Sequence, residues 1–129
     1  MHTLKMLASI AAGGAIGAMA RYLATHWVMR FTGGTFPFGT LVVNVVGCFL
    51  MGVLVEALAL RYHLSPTAQA FVVTGVLGGF TTFSTFSLEA GLLMERHAYG
   101  LAALYVGGSV FFAIVGLFAG LAFSRAWLS

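Results

Sequence analysis

The stretch Tyr99–Phe123, YGLAALYVGGSVFFAIVGLFAGLAF, contains no charged residue. A helix rises 1.5 Å per residue and the hydrocarbon core of a bilayer is roughly 30 Å thick, so about 20 such residues suffice to cross it. Working outward, three comparable runs precede it. They cover about residues 4–29, interrupted only by Lys5, Arg21 and His26; 39–60, containing Asn44 and Glu56; and 67–94, containing Gln69 and Glu89. The runs are continuous, unlike the alternating segments of about ten residues that build a membrane barrel. The connections are short: RFTGGTFPF (30–38), RYHLSP (61–66) and ERHA (95–98). Ser65 ahead of Pro66 is a helix-start signal. The predicted architecture is all-α, a single membrane domain over residues 1–129 with four transmembrane helices. No connection is long enough to house an extramembrane domain, so function must lie inside the bundle.

Composition agrees. Of the 129 residues, 60% are hydrophobic and 7% charged, and the mean hydropathy is +1.02. A soluble domain carries about a quarter charged residues. Six Lys plus Arg and three acidic residues, all Glu, cannot cover a water-soluble globule. A soluble enzyme, a nucleic-acid binder and a disordered chain are thereby excluded. The lone Cys48 can form no internal disulfide. The first run does not read as a cleaved signal: Arg21 sits in its middle and its removal would leave three spans. With four spans, Lys5, Arg61 and Arg125 fall on one side and Arg30 and Arg96 on the other. That is almost no positive-inside bias, so insertion in both directions is open.

Seventeen glycines, several four apart (Gly13 and Gly17, Gly75 and Gly79, Gly116 and Gly120), lay small-residue stripes along three of the runs. Polar groups inside the runs are costly and therefore informative. Arg21 must snorkel or bind carbonyls, a carboxylate or an anion. Asn44 is either interhelical glue or a pore-lining donor. In GVLGGFTTFSTF (75–86), Gly78 and Gly79 weaken the helix while Thr81, Thr82, Ser84 and Thr85 compete for its carbonyls, which predicts a helix break near mid-membrane. Carbonyls freed there suit a small cation such as Na⁺. Phe80, Phe83 and Phe86 recur every three residues and are expected on one face. They serve as lipid contacts or core, or present electropositive ring edges to an anion. Tyr105 and Ser109 share a face of the fourth run, and Thr40 lies one turn before Asn44. This collection of neutral donors favours a small anion over a metal cation. Glu56 is placed near water, and Glu89 at a vestibule or against Arg21.

Together GAIGAMARY (14–22), GTLVVNVVGCFLMG (39–52), GVLGGFTTFSTFSLE (75–89) and YVGGS (105–109) resemble the Fluc/CrcB family of small bacterial fluoride channels, in order and over nearly the whole chain. The resemblance implies passive fluoride export across the bacterial inner membrane by a dual-topology, antiparallel homodimer with two narrow pores. It implies a structural Na⁺ at the dimer centre, held by the main-chain carbonyls of Gly78 and Thr81. It carries the pore-lining roles to Asn44, Phe83, Phe86, Tyr105, Ser109 and Thr40, and a vestibule or structural role to Arg21 and Glu89. His26, His63 and His97 fall outside its motifs and are expected to be peripheral.

The expected mechanism replaces the water around a small, strongly hydrated anion with closely spaced donors. Two rivals are a small proton-coupled multidrug exporter, which would need Glu56 or Glu89 as a membrane-embedded carboxylate, and a non-transporting subunit of a larger membrane complex.

Overall fold

The computed structural model describes residues 2–129. It is all-helical: α1 (His2–Thr32), α2 (Phe38–Leu60), α3 (66–80), α4 (Ser84–Glu95) and α5 (Tyr99–Leu128). Helices α3 and α4 together form one span, Pro66–Glu95. That span, α1, α2 and α5 are each long and apolar enough to cross a membrane. The sequence limits hold within a residue for the second and third spans. The first and fourth are longer than expected. At the end of α5, Ser124 Oγ donates to the Val53 carbonyl (2.6 Å) and Arg125 pairs with Glu56 (2.7 Å), so polar residues past Phe123 extend the helix along α2.

The turns follow from local chemistry. Gly33 and Gly34 both take positive φ (60° and 73°), which lets the chain reverse between α1 and α2 in five residues. Ser65 caps α3 as expected, accepting from the Ala68 N–H (3.1 Å) with Pro66 in the first turn. After α4 the Ala98 N–H reaches the Leu93 carbonyl (2.9 Å) and the His97 N–H reaches Met94 (3.0 Å), with His97 at φ 62°. This is a Schellman closure with histidine where glycine is usual.

Two seams hold the helices together, and both are made by glycine. Between α2 and α5, a Cβ at Gly52 would strike the Leu117 carbonyl oxygen, and one at Gly120 would strike that of Phe49. Between α1 and α3, Gly13 faces Phe71 and Gly75, Gly17 faces Val76, and Gly79 faces Gly14. Backbones this close gain dispersion along their whole contact, the principal attraction available where lipid is as apolar as the side chains. The stripes read from the sequence are therefore contacts within this chain.

Within α3, residues Ala70–Leu77 are wound as a π-helix. The Gly78 N–H reaches back five residues to the Val73 carbonyl. No residue in the segment announced this. The span then stops: Thr81 is extended (φ −86°, ψ 158°), and the chain resumes as α4 at Ser84. The predicted break exists within 75–86, at residues 81–83 just after the two glycines.

Candidate functional site

The break exposes backbone groups, and several are met by side chains, some from other helices and some from the segment itself. Asn44, about two turns into α2, grips Thr82 twice. Its amide nitrogen donates to the Thr82 carbonyl (2.9 Å) and its Oδ1 accepts from the Thr82 N–H (2.8 Å). One amide hydrogen of Asn44 stays uncommitted in this pairing. Arg21 on α1 donates through Nε to the Gly79 carbonyl (3.0 Å). Thr82 Oγ1 accepts from the Thr85 N–H (3.2 Å) and so caps α4. Thr81 Oγ1 donates back to the Leu77 carbonyl (3.1 Å). Arg21 thus takes the carbonyl option of the four its position allowed. Asn44 acts as interhelical glue with one donor to spare.

This pattern has a consequence for a cation. In a continuous helix the Gly78 carbonyl would receive the Thr82 N–H, and the Thr81 carbonyl would receive the Thr85 N–H. Both donors are diverted, one to Asn44 and the other to the Thr82 hydroxyl. The two carbonyls marked for Na⁺ are therefore two whose helical partners have been taken away, which suits a hard cation that binds oxygen.

Six of the expected site residues share one groove. Asn44, Gly78, Thr81, Phe83, Phe86 and Ser109 line a hollow of about 370 Å³, open on one side, together with Cys48, Thr82, Val110 and Ala113. Phe83 is 76% exposed at its mouth, while Phe86 is buried. Ser109 is 6% exposed, and its buried hydroxyl has no partner within the described residues. The expectation that Phe80, Phe83 and Phe86 share a face is corrected here. The break separates them, leaving Phe80 against Gly47 of α2 while Phe83 and Phe86 sit at the groove with ring centroids 5.5 Å apart.

Thr40 and Arg21 belong to a second hollow, also about 370 Å³, on the other side of the break. Thr82 and Thr85 line it, with His26 on its wall. His26 is exposed at the edge of this hollow.

Tyr105 is fully buried and donates its hydroxyl proton to Glu89 Oε1 (3.1 Å). Phe86 and Phe36 pack on its ring at 5.2 and 5.5 Å. Two expectations change. Of the two places open to Glu89, pairing with Arg21 is not the one taken: Glu89 accepts from Tyr105, while Arg21 donates to the Gly79 carbonyl. And the single proton of Tyr105 is already given to a carboxylate. Phe36, a loop residue outside every motif, completes this aromatic wall. Glu56 is paired with the largely exposed Arg125 near the ends of α2 and α5, away from the groove-lining set.

Comparison with known proteins follows this geometry. Residues 8–121 match the family described as CrcB-like protein, Camphor Resistance (CrcB). A fluoride-specific ion channel FluC of Agrobacterium fabrum is 55% identical over 119 residues, covering 92% of this chain and 95% of that protein. One from Cereibacter sphaeroides is 53% identical over 126 residues, covering 98% and 99%. One from Rhodospirillum centenum is 49% identical over 122 residues, covering 95% and 97%.

Proposed function

This chain belongs to the CrcB family, and from that premise we propose that it is a passive, fluoride-selective channel of the bacterial inner membrane. The observation that carries the reading is the groove at the broken span. There, neutral donors and aromatic rings line a path beside backbone held open by Asn44. A dehydrated fluoride needs close hydrogen-bond donors in place of water. The uncommitted amide hydrogen of Asn44 and the unpartnered hydroxyl of Ser109 are suited to that task. Phe83 and Phe86 add ring edges, which attract an anion without the full charge that would hold it too tightly. Tyr105 can donate to the anion only when its hydrogen bond to Glu89 breaks. Thr40 and Arg21, in the second hollow, draw the anion toward the break. Because HF crosses membranes and dissociates inside a neutral cytoplasm, a passive anion pore is sufficient to lower internal fluoride.

The functional unit in this proposal is an antiparallel homodimer. Lipid cannot satisfy the asparagine, threonine and serine groups of a groove open on one side, whereas a second copy can close it. The nearly balanced charges of the two membrane faces permit opposite insertion. A twofold arrangement would also double the freed carbonyls of Gly78 and Thr81, and together they would hold a structural Na⁺. The proton-coupled exporter reading loses its carboxylates, since Glu56 is paired with Arg125 and Glu89 with Tyr105.

The test is fluoride efflux from liposomes containing the purified protein, with K⁺ shunted by valinomycin and chloride-loaded vesicles run alongside. Rapid loss of fluoride without loss of chloride is expected. Folded, inserted protein that moves no fluoride overturns the reading. Phe83→Ile and Phe86→Ile are each expected to slow the flux; full flux in both removes the aromatic role.

A further inference from the structure

Cys48 is the chain's only cysteine, and neither the fold nor the proposed ion path requires a thiol. It lies one helical turn beyond Asn44, so both point from the same face of α2, and it lines the same groove as Phe83 and Ser109. Across that groove the Ser109 hydroxyl is buried and without a hydrogen-bond partner. A buried hydroxyl left in this state is unfavourable unless something in the groove engages it. The remaining wall is apolar or aromatic: Phe83, Phe86, Val110 and Ala113.

We propose that Cys48 and Ser109 form a binding site for a soft monovalent d¹⁰ cation, with Ag⁺ as its probe, and that capture of the ion closes the groove to fluoride. Thiolate sulfur is the ligand such ions select, and few-coordinate d¹⁰ cations accept a weak second donor such as a hydroxyl oxygen. The chemistry is an exchange without electron transfer. A sulfur–silver bond forms, the S–H bond breaks, and the proton leaves to water. The product occupies the width that a bare fluoride needs and engages Ser109 Oγ, one of its donors. The methionine thioethers are weaker ligands, and among the described residues none lines this groove. The inference rests on the proposed fluoride path for its effect, but not for the binding itself.

Two measurements separate these. In chloride-free nitrate medium, liposomes holding the full-length protein are assayed for fluoride efflux with and without Ag⁺, and each variant is scored against its own silver-free rate. Silver is expected to bring the wild type to the level of protein-free vesicles, with recovery on adding excess thiol. Cys48→Ala is expected to be insensitive, and Ser109→Ala to need more silver for the same fractional block. Independently, maleimide labelling of the single thiol reports occupancy without any flux, and pre-incubation with Ag⁺ is expected to protect it. Block that persists in Cys48→Ala overturns the proposal. So does a thiol that silver leaves open to maleimide, or a silver-capped wild type that conducts at its silver-free rate. Wild-type protein that protects its thiol but conducts no fluoride without silver would remove the channel reading and leave the cation site standing.

Discussion

The α2–α5 seam and the α1–α3 seam use the same device, glycine against backbone, and end differently. Both helices of the first are continuous for their full length, 23 and 30 residues. In the second, the partner of α1 is π-wound over Ala70–Leu77 and stops at Phe80. Close packing on two regular helices makes a scaffold that leaves no backbone group unpaired along its length. Close packing against an interrupted helix places the interruption inside the bundle, where its carbonyls and amides need partners from other elements. Those partners come from both sides: Asn44 from the continuous seam and Arg21 from α1. The groove lies between the continuous pair and the interruption, lined by residues of α2, of α5 and of the segments flanking the break.

The largest expected effect comes from breaking that junction. Asn44→Ala leaves both the N–H and the carbonyl of Thr82 without partners, at about 1–3 kcal/mol each. It also removes the uncommitted donor from the groove. Fluoride efflux is expected to vanish and the unfolding temperature in detergent to drop together. An Asn44→Ala protein with unchanged melting would mean that the break holds itself open and that Asn44 does not clamp it.

The next contrast sets one seam against the other. At Gly120 a new Cβ meets the Phe49 carbonyl oxygen, with regular helix on both sides. Overpacking of this kind costs about 1–3 kcal/mol. At Gly17 the same change meets the Val76 carbonyl oxygen of the π-wound segment, whose wider turns can shift at lower cost. Gly120→Ala is therefore expected to destabilise more than Gly17→Ala. Gly107→Ala, with open space around it, is expected to be neutral or slightly stabilising through helix propensity. If Gly17→Ala proves the costlier, the π segment is not the compliant member and the contrast between the seams reverses.

The two seams were also unequally legible from sequence. Long apolar runs, short polar connections and the Ser65–Pro66 cap are local, and their reading required no partner. Glycine spacing marked the stripes but not which helices they join. The break announced its neighbourhood through Gly78, Gly79 and the threonines, yet its position depends on where Asn44 and Arg21 arrive from other helices. The break undid the common face of Phe80, Phe83 and Phe86, which assumed an intact period across it. The π-winding of Ala70–Leu77 left no trace in the residues of that segment. Glu89 met Tyr105, 16 residues away, instead of Arg21. The choice between two plausible partners for a carboxylate is made by tertiary approach, which spacing along one chain does not encode.

The smallest expected effect lies at the far end of the continuous seam. Arg125 and Glu56 are 2.7 Å apart, with the arginine side chain 61% exposed and the glutamate 16%. An exposed pair of this kind contributes about 0–1 kcal/mol and weakens as salt screens it. Arg125→Ala should therefore lower the unfolding temperature slightly, and less at high ionic strength than at low. Ser124, whose hydroxyl bonds the Val53 carbonyl in a buried setting, continues to hold the two helices together there. Glu56→Gln should likewise leave fluoride efflux in place, because the carboxylate lies outside both hollows at the break. Loss of transport in Glu56→Gln alone, with melting intact, would move a required carboxylate to this end of the bundle and return proton coupling to consideration.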